Sequence, residues 1–222
     1  MALLARLKAL FARTSPQRLP GTRQATTAAK SADVPRESTL RKRLVEDPND
    51  VAAFRELAEL VRRRADSVDP VDPLIAEHEH PDQHMSADVA IWALAEELAG
   101  NARAWYPLIE LARLSLHDDH EGAMRRLSAA CERDHSGKAL AEGVRTLREA
   151  DLPGEGVGLG VGWWSPQEHI PEAGRQIVLA ALEAERPLDA RRHLTELAER
   201  TDPEAQAVVA ELEPRVAAAE RA

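Results

Sequence analysis

The chain is 222 residues long and 44% apolar, yet only seven residues are Phe, Trp or Tyr, so its apolar mass is Ala, Leu and Val and composition favours helix over sheet. Net charge is −9, but residues 1–32 carry six basic groups and no acid, which leaves a body at −15 that repels phosphates and excludes nucleic acid as the main ligand. A single cysteine, Cys131, excludes an intrachain disulfide and a four-thiolate zinc site, and no apolar run approaches the roughly 20 residues of a membrane span. A reducing, cytoplasmic setting is the expectation.

Residues 1–13 read as a basic amphipathic helix. At 100° per residue Leu3, Leu4, Leu7, Leu10 and Phe11 fall within an arc of roughly 120°, flanked by Arg6 and Lys8. Those two charges, with no small-residue cleavage site after them, argue against a secretory signal. The acid-free, Ser/Thr-bearing head also has the composition of an organellar presequence. Residues 14–37 hold Pro16, Pro20, Gly21 and Pro35 among Thr, Ser and Ala, and read as a flexible linker.

The helical body is expected over 38–222. A short helix over 38–46 ends at Asp47-Pro48-Asn49-Asp50, and Asp50 caps the next, 51–65, whose apolar side is Phe54, Leu57, Ala58 and Val61. Pro70, Pro73 and Pro81 break the pattern over 66–84. Ser86 then caps a helix to Ala99 that turns Ile91, Trp92, Ala95 and Leu98 inward. Further helices are expected over 102–116, 121–133 and 136–150. The glycine-rich run from Gly154 to Gly162, closed by Trp163-Trp164, reads as a loop folded back onto the helices. Helices resume over 171–185, 188–200 and 203–219.

Spacing is the most telling feature. Phe54-x-x-Leu57-Ala58-x-x-Val61 follows directly on Asp47-Pro48-Asn49-Asp50, and Trp105-x-x-Leu108-x-x-x-Ala112 repeats its start. Ala123-x-x-x-Leu127-x-x-Ala130 returns as Ala190-x-x-x-Leu194-x-x-Leu197, 67 positions on, before Asp202-Pro203. This resembles the tetratricopeptide repeat, a helix–turn–helix unit of about 34 residues. Small residues in such a pair let backbones approach, and large ones fill the adjacent hole. The resemblance implies an all-α fold of stacked antiparallel helix pairs, a TPR-like α-solenoid. It departs from the family where the proline-rich 66–84 and the glycine run replace expected helices, and where His135 stands in place of the junction proline.

A stack of this kind implies a partner face on the first helices of its pairs. Arg55, Glu59 and Arg62 share such a face, and Tyr106, Glu110 and Arg113 repeat the spacing on the next, away from its core stripe. These six are the candidate partner-binding residues, with Arg suited to a carboxylate. The reading is a non-enzymatic protein–protein interaction scaffold or adaptor without a cofactor. Its partners would be another protein or peptide and, through the apolar arc of residues 3–11, an anionic membrane surface or a larger complex. The rival is a metal-dependent or catalytic protein using His78, His80 and His84, which sit with Glu77, Glu79 and Asp82 in a proline-broken loop that supplies no rigid frame for a metal. His117 and His120 form a second such pair. Cys131 and His135 are four apart on a helix, a spacing that suits a dyad, but a packed free thiol is the expectation.

Overall fold

A computed structural model describes residues 24–66 and 87–221. They form α1 (Gln24–Glu46), α2 (Val51–Asp66), α3 (Ala87–Ala99), α4 (Tyr106–Ser115), α5 (His120–Arg133), α6 (Lys138–Glu149), α7 (Pro153–Trp163), α8 (Pro171–Glu183), α9 (Pro187–Ala198) and α10 (Pro203–Ala219). Among the described residues there is no strand. The chain divides into two units, Met1–Arg36 and Glu37–Ala222. In the first unit residues 24–36 are helical. The linker expected over 14–37 is therefore helix from Gln24 onward, where Ala, Lys, Arg and Glu outweigh Pro35. The apolar arc of residues 3–11 lies outside the described residues.

The second unit holds one core. At α2, α5 and α10 a side chain takes up a free N–H group of the first turn. Asp50 Oδ1 accepts from Ala53 N at 2.9 Å at the start of α2, Asp119 accepts from Gly122 N at 2.9 Å at α5, and Asp202 from Ala205 N at 2.9 Å at α10. These N–H groups are the first cause of the lowered pKa of each of the three carboxyls. Proline occupies the first or second helical position of α4, α7, α8, α9 and α10, where its missing N–H costs nothing.

Each helix from α2 to α10 packs against the next, α4 also touches α6, α6 touches α8, and α8 touches α10. From α3 onward the connections between sequential helices are short, as at 184–186. The core stripes read from the sequence are buried for the most part, with Val61, Trp92 and Leu98 only partly buried at the margin. Phe54, Leu57 and Ala58 of α2 and Ile91 and Ala95 of α3 are buried, as are Trp105 at the head of α4, Leu108 and Ala112 within it, and Ala123, Leu127 and Ala130 of α5. Leu40 and Leu44 of α1 join the same core.

Besides α1, two elements differ from expectation. The helix expected from 102 starts at Tyr106, because Asn49 Oδ1 accepts from the backbone N–H of Trp105 (2.7 Å) and Tyr106 (3.1 Å) while Asn101 Oδ1 accepts from Arg103 N. Those side chains hold 101–105 as a turn. The glycine run is not a loop but helix α7, lodged against α6 and α8. Packing explains the reversal: a Cβ on Gly160 would sit 2.8 Å from Ile177, and one on Gly156 3.3 Å from Val144. Glycine there lets three backbones close on one another, while Val157 and Leu159 fill the core. That tertiary gain outweighs a helix propensity about 1 kcal/mol per glycine below alanine.

Candidate functional site

The six candidate partner-binding residues fall on α2 and α4, but they are not one free surface. Tyr106 has no exposed area and Glu110 retains 7%, so the helical spacing that placed them away from the core misplaces them. The reason is the number of neighbours. α4 packs on α3, α5 and α6, and the Tyr106 ring meets Phe54 of α2 edge-on at 5.4 Å and Trp105 at 5.8 Å. No side of its first two turns is left for solvent.

What results is a partly buried polar seam. Arg55 Nε donates to the Tyr106 hydroxyl at 3.1 Å, and the Glu110 carboxylate lies near enough to act on the same phenol. Arg113 Nη1 donates to both Glu110 oxygens at 3.0 and 3.1 Å. Burial first, then the Glu110 charge, pushes the Tyr106 phenol well above its usual range, so it stays a neutral donor. Arg55 also reaches across α4 to Glu142 of α6, at 4.0 Å. Glu59 and Arg62 stand apart from this network, paired with each other at 3.3 Å in solvent.

The seam continues along the alternate helices. Glu142 pairs with Arg145 on α6, repeating the Glu110–Arg113 spacing one helix on. Arg148 of α6 donates to Gln176 and, at 2.7 Å, to Glu183 of α8, and Arg175 of α8 donates to Glu211 of α10 at 2.7 Å. Sequence reasoning missed Glu142, Arg145, Arg148 and Arg175. The recurrence of Glu-x-x-Arg at 110–113, 142–145 and 172–175 was the signal available. Chemically the seam is a row of guanidiniums that already hold carboxylates. A ligand carboxylate would bind by exchanging with those partners, and Arg113 Nε and Arg145 Nε are buried without a hydrogen-bond partner.

The opposite requirement, tying consecutive loops, falls to two further arginines. Arg133 Nη1, at the end of α5, donates to the carbonyls of Ala99, Asn101 and Ala104 at 3.0, 3.2 and 2.9 Å. Arg200, just after α9, donates to Pro166 O at 2.9 Å and to His169 O. The two arginines are 67 positions apart, the spacing of Ala123 and Ala190.

The remaining candidates separate cleanly. His78, His80 and His84 lie outside the described residues, and among those described no His, Cys, Asp and Glu cluster could hold a metal. His120 pairs with Glu155 of α7 at 3.0 Å rather than with His117. Cys131 is buried, and desolvation pushes its thiol up to about 12, the wrong direction for a nucleophile. No helix among the described residues is long and apolar enough to cross a membrane. No family model, curated protein or solved structure matches the chain.

Proposed function

We propose that the chain is a non-enzymatic interaction scaffold built as a tetratricopeptide-like helical stack, whose alternate helices α2, α4, α6, α8 and α10 present the face that binds a protein partner. One observation carries the reading: Arg133 and Arg200 perform the same loop-tying task one double unit apart, at the C-terminal ends of helices that share the Ala–Leu stripe. The contacts of α4 with α6, α6 with α8 and α8 with α10 support it, since each repeat of a stack touches its neighbour through its first helix. Arg55, Glu59, Arg62 and Arg113 are the first part of the partner face, with Tyr106 and Glu110 buried beneath it as supports, and α6 and α8 extend it. In the same proposal, residues 2–13 attach the scaffold to an anionic membrane or to a groove on a larger complex, with Leu3, Leu4, Leu7, Leu10 and Phe11 as the apolar contact.

The test is capture of partners by tagged full-length protein, followed by charge reversal. Arg62→Glu with Arg145→Glu should reduce recovery of the main partner at least about tenfold, while Glu199→Lys beyond the end of α9 should leave it unchanged. Equal recovery with all variants would remove the partner face from these helices. A metal held stoichiometrically by the purified chain would favour the rival histidine chemistry instead.

A further inference from the structure

The loops that lead into α2, α4, α6 and α8 enclose a cleft of about 400 Å³ that borders the polar seam at Glu142 and Glu172 and is otherwise lined by Asp47, Asn49, Val51, Trp105, Asp134, Ser136, Lys138, Ala141 and Ile170. Small ligand pockets start at about 300 Å³, room enough for one or two side chains. Its apolar surface comes from Val51, Trp105, Ala141 and Ile170, and its charge from four carboxylates against one amine.

We propose that this cleft binds a segment of another protein in which an apolar side chain is flanked by Lys or Arg. The inference rests on the scaffold reading and gives its partner a chemistry. Charge complementarity carries it. Among the described residues Asp47 and Asp134 meet no Arg or Lys; they accept instead from the backbone N–H groups of Asn49 (2.9 Å), Ser136 (3.2 Å) and Ala139 (2.7 Å). Helix N-termini carry partial positive charge, which would favour an anion. Here the starts of α2 and α6 are already met by Asp50 and Asp134, so Asp47, Glu142 and Glu172 set the sign of what remains. Glu142 pairs with Arg145 and Arg55 and Glu172 with Arg175, and all three arginines lie outside the lining.

The walls are held before any ligand arrives. Asn49 ties its loop to the next through Trp105 N, Tyr106 N and Arg103 O, and Ile170 N donates to Ser136 O at 2.8 Å. Little ordering is left to oppose binding. An apolar side chain seated on Trp105 and Ile170 would place basic neighbours within reach of Asp47 on one side and Glu172 on the other. Lys138, exposed and in no ion pair among the described residues, is the one group that opposes such a ligand.

The experiment titrates isotope-labelled full-length chain with two synthetic peptides, one with alternating Lys and Leu and one with alternating Glu and Leu, and follows backbone amide shifts. Saturable shifts at Asn49, Trp105, Ala141 and Ile170 with the Lys peptide, and none there with the Glu peptide, are expected. Asp47→Asn with Glu172→Gln should weaken the Lys peptide roughly tenfold, and Lys138→Ala should tighten it about two- to threefold, with unchanged thermal unfolding as the folding control. The Lys138 variant matters because a merely destabilised fold would not bind more tightly. Equal response to both peptides overturns the proposal, as does no saturable shift. Shifts confined to the seam around Arg55, Arg113 and Arg145 also overturn it, yet leave the scaffold standing. Loss of the scaffold itself is read from the partner-recovery assay, independently of either peptide.

Discussion

His169 lies over Gly137: a Cβ built on that glycine would fall 2.6 Å from the histidine's own Cβ, and Gly137 holds φ at +82°. The contact joins the loop before α6 to the loop before α8, beside the Ile170–Ser136 hydrogen bond. Both the backbone conformation and the space require glycine. Gly137→Ala should therefore cost about 1–3 kcal/mol in urea unfolding. Gly158→Ala, on the face of α7 where nothing lies within 4 Å, should stabilise by up to about 1 kcal/mol. Equal effects at the two positions would contradict this packing.

The same histidine predicts a pH dependence. Burial holds the His169 pKa below its ordinary 6.5, outweighing Asp134 and Glu168, which pull it up; His135 works with burial. The Ser165 N–H donates to its Nδ1 at 3.4 Å, so the neutral ring is the one the fold accommodates. Unfolded chain takes up the proton near 6.5 and folded chain takes it up lower. Stability due to this residue is thus complete above 6.5 and falls as pH drops from there towards the folded value. Chemical unfolding measured from pH 8 to 5 should show that loss, and His169→Gln should flatten that part of the profile.

Leu127 of α5 is fully buried beside Gly143 of α6, in the same core as Ala123 and Ala130 of its own helix. Leu127→Ala should destabilise by about 2–5 kcal/mol, by lost transfer energy plus a cavity. A change below about 0.5 kcal/mol would mean that the side chain is not packed.

Arg133→Ala and Arg200→Ala should act alike. Each strips donors from carbonyls of the loop it ties, so each should cost about 1–3 kcal/mol and loosen that loop in hydrogen exchange. Protection should fall at 99–104 for the first and at 165–170 for the second. A loss spread evenly along the chain would argue against the repeated role.

Cys131, with its thiol at about 12 and 6% of its surface exposed, should react with a disulfide reagent at neutral pH far more slowly in the folded chain than in urea. Rapid labelling of native protein would show that α5 opens at that position.

The sequence by itself determined which segments are helical and which stripe of each is apolar, wherever a local signal existed. Asp50 and Asp202 mark helix starts through their own side chains, and Phe54–Leu57–Ala58 or Ala123–Leu127–Ala130 recur at helical spacing whatever lies beside them. Tertiary structure decided what neighbours decide. Tyr106 and Glu110 share a helical face with Arg113, but whether that face meets water depends on α2 and α6 closing over it, and their approach is set by residues 50 or 30 positions away. Gly156 and Gly160 give no helix signal of their own. They become helix because α6 and α8 bring Val144 and Ile177 to where a Cβ on Gly160 would collide and one on Gly156 would be crowded. The start of α4 was likewise fixed by Asn49, a side chain from another loop that no reading of 101–106 alone contains. Periodicity and capping act within a few residues of chain, whereas burial and close backbone approach act between segments, and only the folded arrangement brings those segments together.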